Sequence, residues 1–367
     1  MRKIIITLLL LVFAFSVLYG EGGKPELTAI HEWGVFTMAP DTLQANSALI
    51  GELESLPSHF YRTNLITAST GNNNPPPALA RKPVIYAYGT GDGTVGFQLA
   101  VTFNGGTPLI YYPKADIWNI NINAPASQLF GGDLDMVPLG TYSVPTARLD
   151  LAANSVVWRG SIIFGNNNFV LPRYYDTLTE DMRVNGSGIF QTSTLNETRM
   201  SIRTQPDIES FLYYDGVFPA MKSYVLKSYS KDKIAITNPT GDDQLAWFFI
   251  DRMSQKVDNT NIRYAFIPAI KAGETVTASF KTAKISDMSA QISKELVKQG
   301  LYEKEANALL RTWHDGFFMT PGLHGLNIID TAEYNKYIIL NVNPKPEEIV
   351  RVGIVMYIGI QGSHLVR

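Results

Sequence analysis

Apolar and polar residues alternate with period two along most of this chain, and that pattern commits it to β-sheet. Val95, Phe97, Leu99, Val101 and Phe103 share one face of an extended segment, with Gly96, Gln98, Ala100 and Thr102 on the other. VIYAY (Val84 to Tyr88) precedes it across GTGDGT, whose Asp92-Gly93 step is the chemistry of a tight turn with positive φ. Gly105-Gly106 then leads into LIYY (Leu109 to Tyr112), so the three segments are expected to form a meander. SVVWRGSIIF (Ser155 to Phe164) is a further strand. From Ser223 to Phe280 five short strand patterns, SYVLKSY, KIAITNP, LAWFFID, IRYAFIP and ETVTASF, follow one another at the spacing of half a β-sandwich. Near the C-terminus GLNIID, YIILNV and IVRVGIVMYIGI resume the pattern, the last with Val350, Val352, Ile354, Met356, Ile358 and Ile360 expected on one buried face.

One region departs from this period. Between Asp287 and Trp313 the apolar residues Met288, Ile292, Leu296, Tyr302, Ala306, Leu309, Leu310 and Trp313 fall at helical spacing. Ser286 or Asp287 is expected to cap the first helix, and Gly300 to end it in a left-handed conformation. Glu303 and Glu305 suit the dipole of the second. The expected fold is therefore mainly β, with sandwich-like sheets and a C-terminal helical hairpin at 287–313. It divides into an N-terminal β region (23–206) and a second β region carrying the hairpin (207–367).

Met1-Arg2-Lys3 followed by an apolar run from Ile4 to Leu18 reads as a signal peptide over residues 1–22, too short for a bilayer-spanning helix. Export to the periplasm or the exterior follows, with no stable membrane span after cleavage. With 31 Lys+Arg against 33 Asp+Glu, the chain offers no basic footprint for nucleic acid. It has no cysteine, which removes disulfides, thiol nucleophiles and thiolate metal ligands. GNNNPPP (Gly71 to Pro77) is a loop, because three prolines remove backbone donors.

The densest stretch is LTAIHEWGVFT, Leu27 to Thr37. As a strand it places Leu27, Ala29, His31, Trp33 and Val35 on one face and Ile30, Glu32, Gly34 and Phe36 on the other. Both faces are mostly apolar, so the strand is buried. His31 and Glu32 then point apart and cannot share a metal ion, and Glu32 needs an Arg, a Lys or backbone amides beside it. A structural ion pair is the favoured reading of Glu32, ahead of a general acid or base. His31, His314 and His324 could meet Asp315 around a metal, but no HExxH or short His spacing supports this, so neither a metal nor another cofactor is expected. Asp133 and Asp135 form a DxD pair without calcium-loop spacing. Asn185-Gly-Ser and Asn196-Glu-Thr fit the N-glycosylation pattern. Tyr111-Tyr112, Tyr174-Tyr175 and Tyr213-Tyr214 are adjacent pairs, so one ring of each could face outward and stack on a sugar or a partner.

These residues resemble an uncharacterised family of exported bacterial proteins with an N-terminal HEWGTFT signature, here HEWGVFT (His31 to Thr37). KPVIYAYG (Lys82 to Gly89), FLYYDGVFP (Phe211 to Pro219) and LVKQGLYEKEANALLRTWHDGFFMTPGLHGLNII are similar in order and spacing. The family pattern carries Thr where this chain has Val35, and Arg where it has Asp215 and His324, so no role of those arginines transfers. The resemblance implies export and a single β-rich unit. Binding candidates are His31, Glu32, Trp33, Asp215, Trp313, His314 and His324; no catalytic residue is assigned. The expected function is a non-catalytic module that binds glycan or protein. The alternative is a secreted hydrolase on glycan or peptide, which requires two of Glu32, Asp133, Asp135 and Asp215, or one with a histidine, to meet in a cleft.

Overall fold

The computed structural model describes residues 23–38, 56–62, 78–118, 154–165, 169–195, 205–218, 224–252 and 260–360. The leader, the GNNNPPP loop, Asp133, Asp135 and Asn196 lie outside them. Strands β1 (Glu26–Met38), β2 (Tyr61–Arg62), β3 (Ala78–Thr90), β4 (Gly93–Phe103), β5 (Thr107–Tyr112), β6 (Asp116–Trp118) and β7 (Ser155–Phe164) come first. Helix α1 (Thr177–Met182) precedes β8 (Ile189–Ser193), β9 (Asp207–Glu209) and β10 (Leu212–Phe218). The five short segments become β11 (Val225–Tyr229), β12 (Lys233–Thr237), β13 (Trp247–Asp251), β14 (Asn261–Ile267) and β15 (Thr275–Ser279), with β16 (Lys281–Lys284) after them. Helices α2 (Ile285–Lys298), α3 (Glu303–Thr312) and α4 (His314–Phe318) follow. The described chain closes with β17 (Leu323–Ile329), α5 (Thr331–Tyr337), β18 (Ile338–Asn343) and β19 (Glu348–Tyr357).

The protein is mainly β, and its strands form three sheets. A ten-stranded sheet runs β16-β14-β13-β17-β19-β1-β3-β10-β5-β2. A six-stranded sheet carries β18-β4-β7-β8-β9, with β6 also on β7, and a three-stranded sheet carries β11-β12-β15. One face of the large sheet packs on the helices: Trp33, Tyr86, Phe248 and Val352 share a core with Met288, Ile292, Leu309 and Phe317. The opposite face packs on the two smaller sheets, where Ile30, Phe36, Ile85 and Trp247 meet Leu99, Trp158 and Ile236. Alternation within β13 shows the principle, since Trp247 and Phe249 enter one core while Phe248 and Ile250 enter the other.

Two expectations about connectivity change. β3 lies between β1 and β10 and β4 between β18 and β7, so the GTGDGT joint passes the chain between sheets and closes no meander. Gly91 (φ 70°) and Gly93 (φ 134°) supply its left-handed backbone. The five segments from 223 to 280 are all strands, but β13 and β14 join the large sheet while β11, β12 and β15 form the small one. The hairpin forms as α2 and α3, with Gly300 at φ 108°. Its first helix begins at Ile285 behind Lys284, which makes no side-chain cap, and Asp287 sits in the first turn. The last strand ends at Tyr357, and Ile360, expected on one face with Val352 and Ile354, enters the opposite core.

Candidate functional site

The centre of the large sheet is β1, parallel to β19 and antiparallel to β3. A register shift between Leu27 and Ala29 turns Leu27 to the sandwich side, away from the face expected for it. Beyond it the alternation holds, with Ala29, Trp33 and Val35 toward the helices and Ile30 and Phe36 toward the smaller sheets.

On the helix side His31 is buried, and its Nδ1 lies 2.9 Å from Glu305 Oε2. Glu305 Oε1 accepts from the Tyr88 hydroxyl at 2.6 Å, and Oε2 from the Tyr302 backbone N–H at 2.7 Å. A carboxylate oxygen accepts, so His31 Nδ1 joins Tyr88 and the Tyr302 N–H as a third donor to Glu305. Burial, then the Glu305 charge, pushes the Tyr88 phenol far above its ordinary value. The Tyr302 ring lies over the imidazole at 4.4 Å between centroids, and Tyr88 meets it edge-on at 5.1 Å. Lys304 Nζ sits 4.7 Å from the Tyr88 ring and donates to Asn185 O at 2.6 Å. Burial holds that ammonium below its ordinary pKa.

On the opposite side Glu32 has the partner that its burial requires. Glu32 and Arg351 are cross-strand neighbours in the parallel β1–β19 pair, which puts their side chains on one face. Arg351 Nε donates to Glu32 Oε2 at 2.7 Å, while Tyr334 (2.9 Å) and Tyr214 donate to Oε1. Arg351 Nη1 reaches Asn335 Oδ1 and Ile338 O, and its guanidinium lies 4.2 Å from the Tyr334 ring centroid. Burial alone would lower the Arg351 pKa, but Glu32 and the two phenols hold it above its ordinary value. Burial, then Glu32, drives the Tyr214 and Tyr334 hydroxyls up. Trp33 Nε1 donates to Tyr86 Oη at 3.3 Å, and the Tyr86 hydroxyl in turn donates to Met182 O at 2.6 Å. At Gly34, β1 faces two residues of β3, Lys82 and Pro83, and a Cβ there would stand 2.6 Å from Tyr334 Oη.

The remaining expected residues sit apart. Asp215 is buried on β10, 3.4 Å from Tyr213 Oη. Trp313 is buried between α3 and α4, stacked on Phe317 at 5.6 Å and approached by Lys82 Nζ at 5.0 Å. His314 opens α4 on the surface and pairs with Asp315 at 3.0 Å. Among the described residues no three His, Asp or Glu side chains gather as a metal site. His324 is buried and donates from Nε2 to Phe317 O at 2.7 Å.

Burial depresses the His324 pKa to about 4. Between the unfolded value of about 6.5 and that value, the unfolded chain binds a proton that the fold refuses. Stability should therefore fall as pH drops through this window, by about 3 kcal/mol at 1.36 kcal/mol per unit, and level off below it. Urea midpoints from pH 7 to 4 measure this, and His324→Gln should flatten the curve.

The tyrosine pairs need correction. Tyr111, Tyr112, Tyr213 and Tyr214 are all buried, because both faces of the large sheet are covered. Only the 174–175 pair shows an outward ring, with Tyr175 at 105% relative exposure. Tyr174 stacks on His59 at 3.6 Å, nearly parallel, and accepts from the Tyr112 hydroxyl at 2.8 Å. Arg183 lies 5.9 Å from the Tyr174 ring and grips buried Glu209 with two nitrogens, at 3.0 and 2.8 Å. Burial lowers the His59 pKa against Asp176 and Asp207, which raise it. His59 escaped the sequence reading because SHFYR carries no spacing that links it to residues 174–183. A separate cleft of about 420 Å³ lies beside α5, lined by Asp242, Asp243, Asp330, Glu333 and Lys336. Lys336 bridges its walls, 2.9 Å from Asp242 and 2.7 Å from Glu333.

No protein-family model, curated protein or solved structure matches the chain.

Proposed function

We propose that the mature chain is an exported, non-catalytic module of the HEWG-signature kind that binds glycan at the surface carrying Tyr174 and Tyr175. The observation that carries this reading is the Tyr175 ring, wholly exposed next to a Tyr174 ring fixed by His59 and Tyr112. A flat aromatic face offers a platform for the C–H face of a sugar, and nearby Arg173, Asp176 and Glu180 offer partners for its hydroxyls. The basic start and short apolar run at the N-terminus support export. Within HEWG itself, His31 is held by Glu305, Glu32 by Arg351 and two tyrosines, Trp33 by Tyr86, and Gly34 fits against Tyr334. A motif so occupied with internal contacts supports a scaffold role for these residues ahead of chemistry on a bound substrate.

Calorimetry against a panel of bacterial and plant oligosaccharides tests the reading. Tyr175→Ala should weaken binding about fivefold, in line with a stacking contact worth roughly 1 kcal/mol. Its melting temperature should stay unchanged, since the side chain packs on nothing. Oligosaccharide binding that is indifferent to Tyr175, or no binding across the panel, refutes it.

A further inference from the structure

An asparagine followed by glycine is prone to lose its side-chain amide, because glycine has no Cβ to shield its own nitrogen from the asparagine Cγ. The chain holds two such pairs, Asn104-Gly105 and Asn185-Gly186, and they form a matched comparison. Both asparagines are exposed, and the two glycines share a backbone twist, with φ at 75° and 77°. They differ in what holds the asparagine. Asn104 donates from Nδ2 to Lys336 O at 2.9 Å and from its backbone N–H to Tyr337 O at 2.8 Å. The Asn185 carboxamide bonds to none of the described residues, and neither does the Gly186 N–H.

The turn that carries Asn185 lies between α1 and β8, beside the start of α3. Beyond its chain neighbours, only Lys304 Nζ stands within 4 Å of where a Gly186 Cβ would be, at 3.5 Å. That ammonium donates to Asn185 O at 2.6 Å and is seated over the Tyr88 and Tyr302 rings, 4.7 and 5.5 Å from their centroids. A cation on this carbonyl has two chemical effects. It draws charge from the amide joining Asn185 to Gly186, which eases loss of the Gly186 proton. It also stabilises the oxyanion formed when water adds to the same carbonyl.

We propose that Asn185-Gly186 is a self-modification site, in which the Lys304 ammonium promotes conversion of Asn185 to isoaspartate. The Gly186 nitrogen gives its proton to solvent base and bonds to Asn185 Cγ. The Cγ–Nδ2 bond breaks, and ammonia leaves with a proton taken from solvent, so a succinimide closes. Water then adds to the carbonyl that Lys304 holds, and the bond from that carbon to the Gly186 nitrogen breaks. The hydroxyl stays on the carbon and the hydrogen passes to the nitrogen. Nothing is oxidised or reduced. The main chain now runs through the former side chain, and a carboxylate stands where Lys304 met a neutral carbonyl. Charge on the acceptor roughly doubles the strength of such a hydrogen bond. The site is separate from the Tyr175 surface and stands if that surface binds nothing.

The test ages the full chain in mildly alkaline buffer and digests it. Electron-transfer mass spectrometry of the peptides then distinguishes isoaspartate from aspartate. Asn185 should convert at least about tenfold faster than Asn104, the factor that matches one side-chain hydrogen bond of about 1.4 kcal/mol to be broken first. Isoaspartate should outweigh aspartate at position 185. Lys304→Gln should slow conversion there severalfold and lower the share of isoaspartate, with Asn104 unaffected. Lys304→Met, which keeps the apolar stem over the two rings, carries the same expectation and serves if the first variant does not fold. In urea the two pairs of the unmutated chain should convert at similar rates. Equal rates in the folded chain overturn the proposal, as does a difference that persists in urea. So does a folded Lys304 variant whose rate and isomer share at 185 are unchanged.

Discussion

Arg351→Met should destabilise the fold by about 3–5 kcal/mol, the penalty for stranding one member of a buried ion pair. The guanidinium is 1% exposed and Glu32 is fully buried, so bulk solvent does not reach the stranded carboxylate. Tyr214 and Tyr334 would still donate to Oε1, but Oε2 would lose the donor that Arg351 Nε supplies. Asn335 Oδ1 and Ile338 O would lose theirs as well. Urea denaturation of the single variant reads the loss directly. The informative comparison is Glu32→Leu/Arg351→Met. With both charges gone, the penalty of an unpaired carboxylate disappears, and the double variant should be more stable than either single change added to the other by about 2 kcal/mol or more. Simple additivity would mean that the pair acts as two independent packing residues.

The sequence makes the faces of strands legible and leaves their neighbours obscure. Alternation in LTAIHEWGVFT is enough to send His31 and Glu32 to opposite sides and to demand a counter-charge for Glu32. It cannot point to Arg351, because the two meet through a parallel pairing between chain ends 319 residues apart. The available sign was a lone arginine inside the apolar run IVRVGIVMYIGI, a charge that a buried strand tolerates only with a partner. Glu305 was hidden differently. In EKEANALL it has the position of an acid complementing a helix dipole, and it does cap α3, but its carboxylate also turns inward to His31. Period two says nothing about which sheet a strand enters. Hence β13 and β14 could be read as strands beside β12 and β15 while their placement in the large sheet could not. The same gap explains the tyrosine pairs: Tyr213 and Tyr214 point apart as expected, and each meets its own core because the sheet is covered on both sides.

Gly34→Ala should be the most damaging single methyl in the chain's central strand. A Cβ at this position would sit 2.6 Å from Tyr334 Oη and 3.2 Å from Pro83 Cβ and Cγ. Overpacking of this kind costs about 1–3 kcal/mol when neighbours must shift. Here the atom pushed away is the hydroxyl that donates to Glu32 at 2.9 Å, and a hydrogen bond to a charged group carries about 1.5–3 kcal/mol more. Tyr334 cannot retreat freely, because its ring packs edge-on against Phe36 at 4.8 Å and carries Arg351 on its face. The clash is with one oxygen, which gives a specific check. Tyr334→Phe alone should cost the hydrogen bond, and Gly34→Ala/Tyr334→Phe should cost only slightly more, since the hydroxyl that the methyl would strike is gone. The small remainder would come from Pro83, whose contacts at 3.2 Å require a shift of a few tenths of an ångström. Chemical denaturation of the three variants should thus show strong non-additivity, well outside the 0.3–0.5 kcal/mol scatter of independent sites. Additive losses would place the penalty in the β1–β3 backbone at the Lys82-Pro83 bulge and dissociate the motif glycine from the Glu32 network.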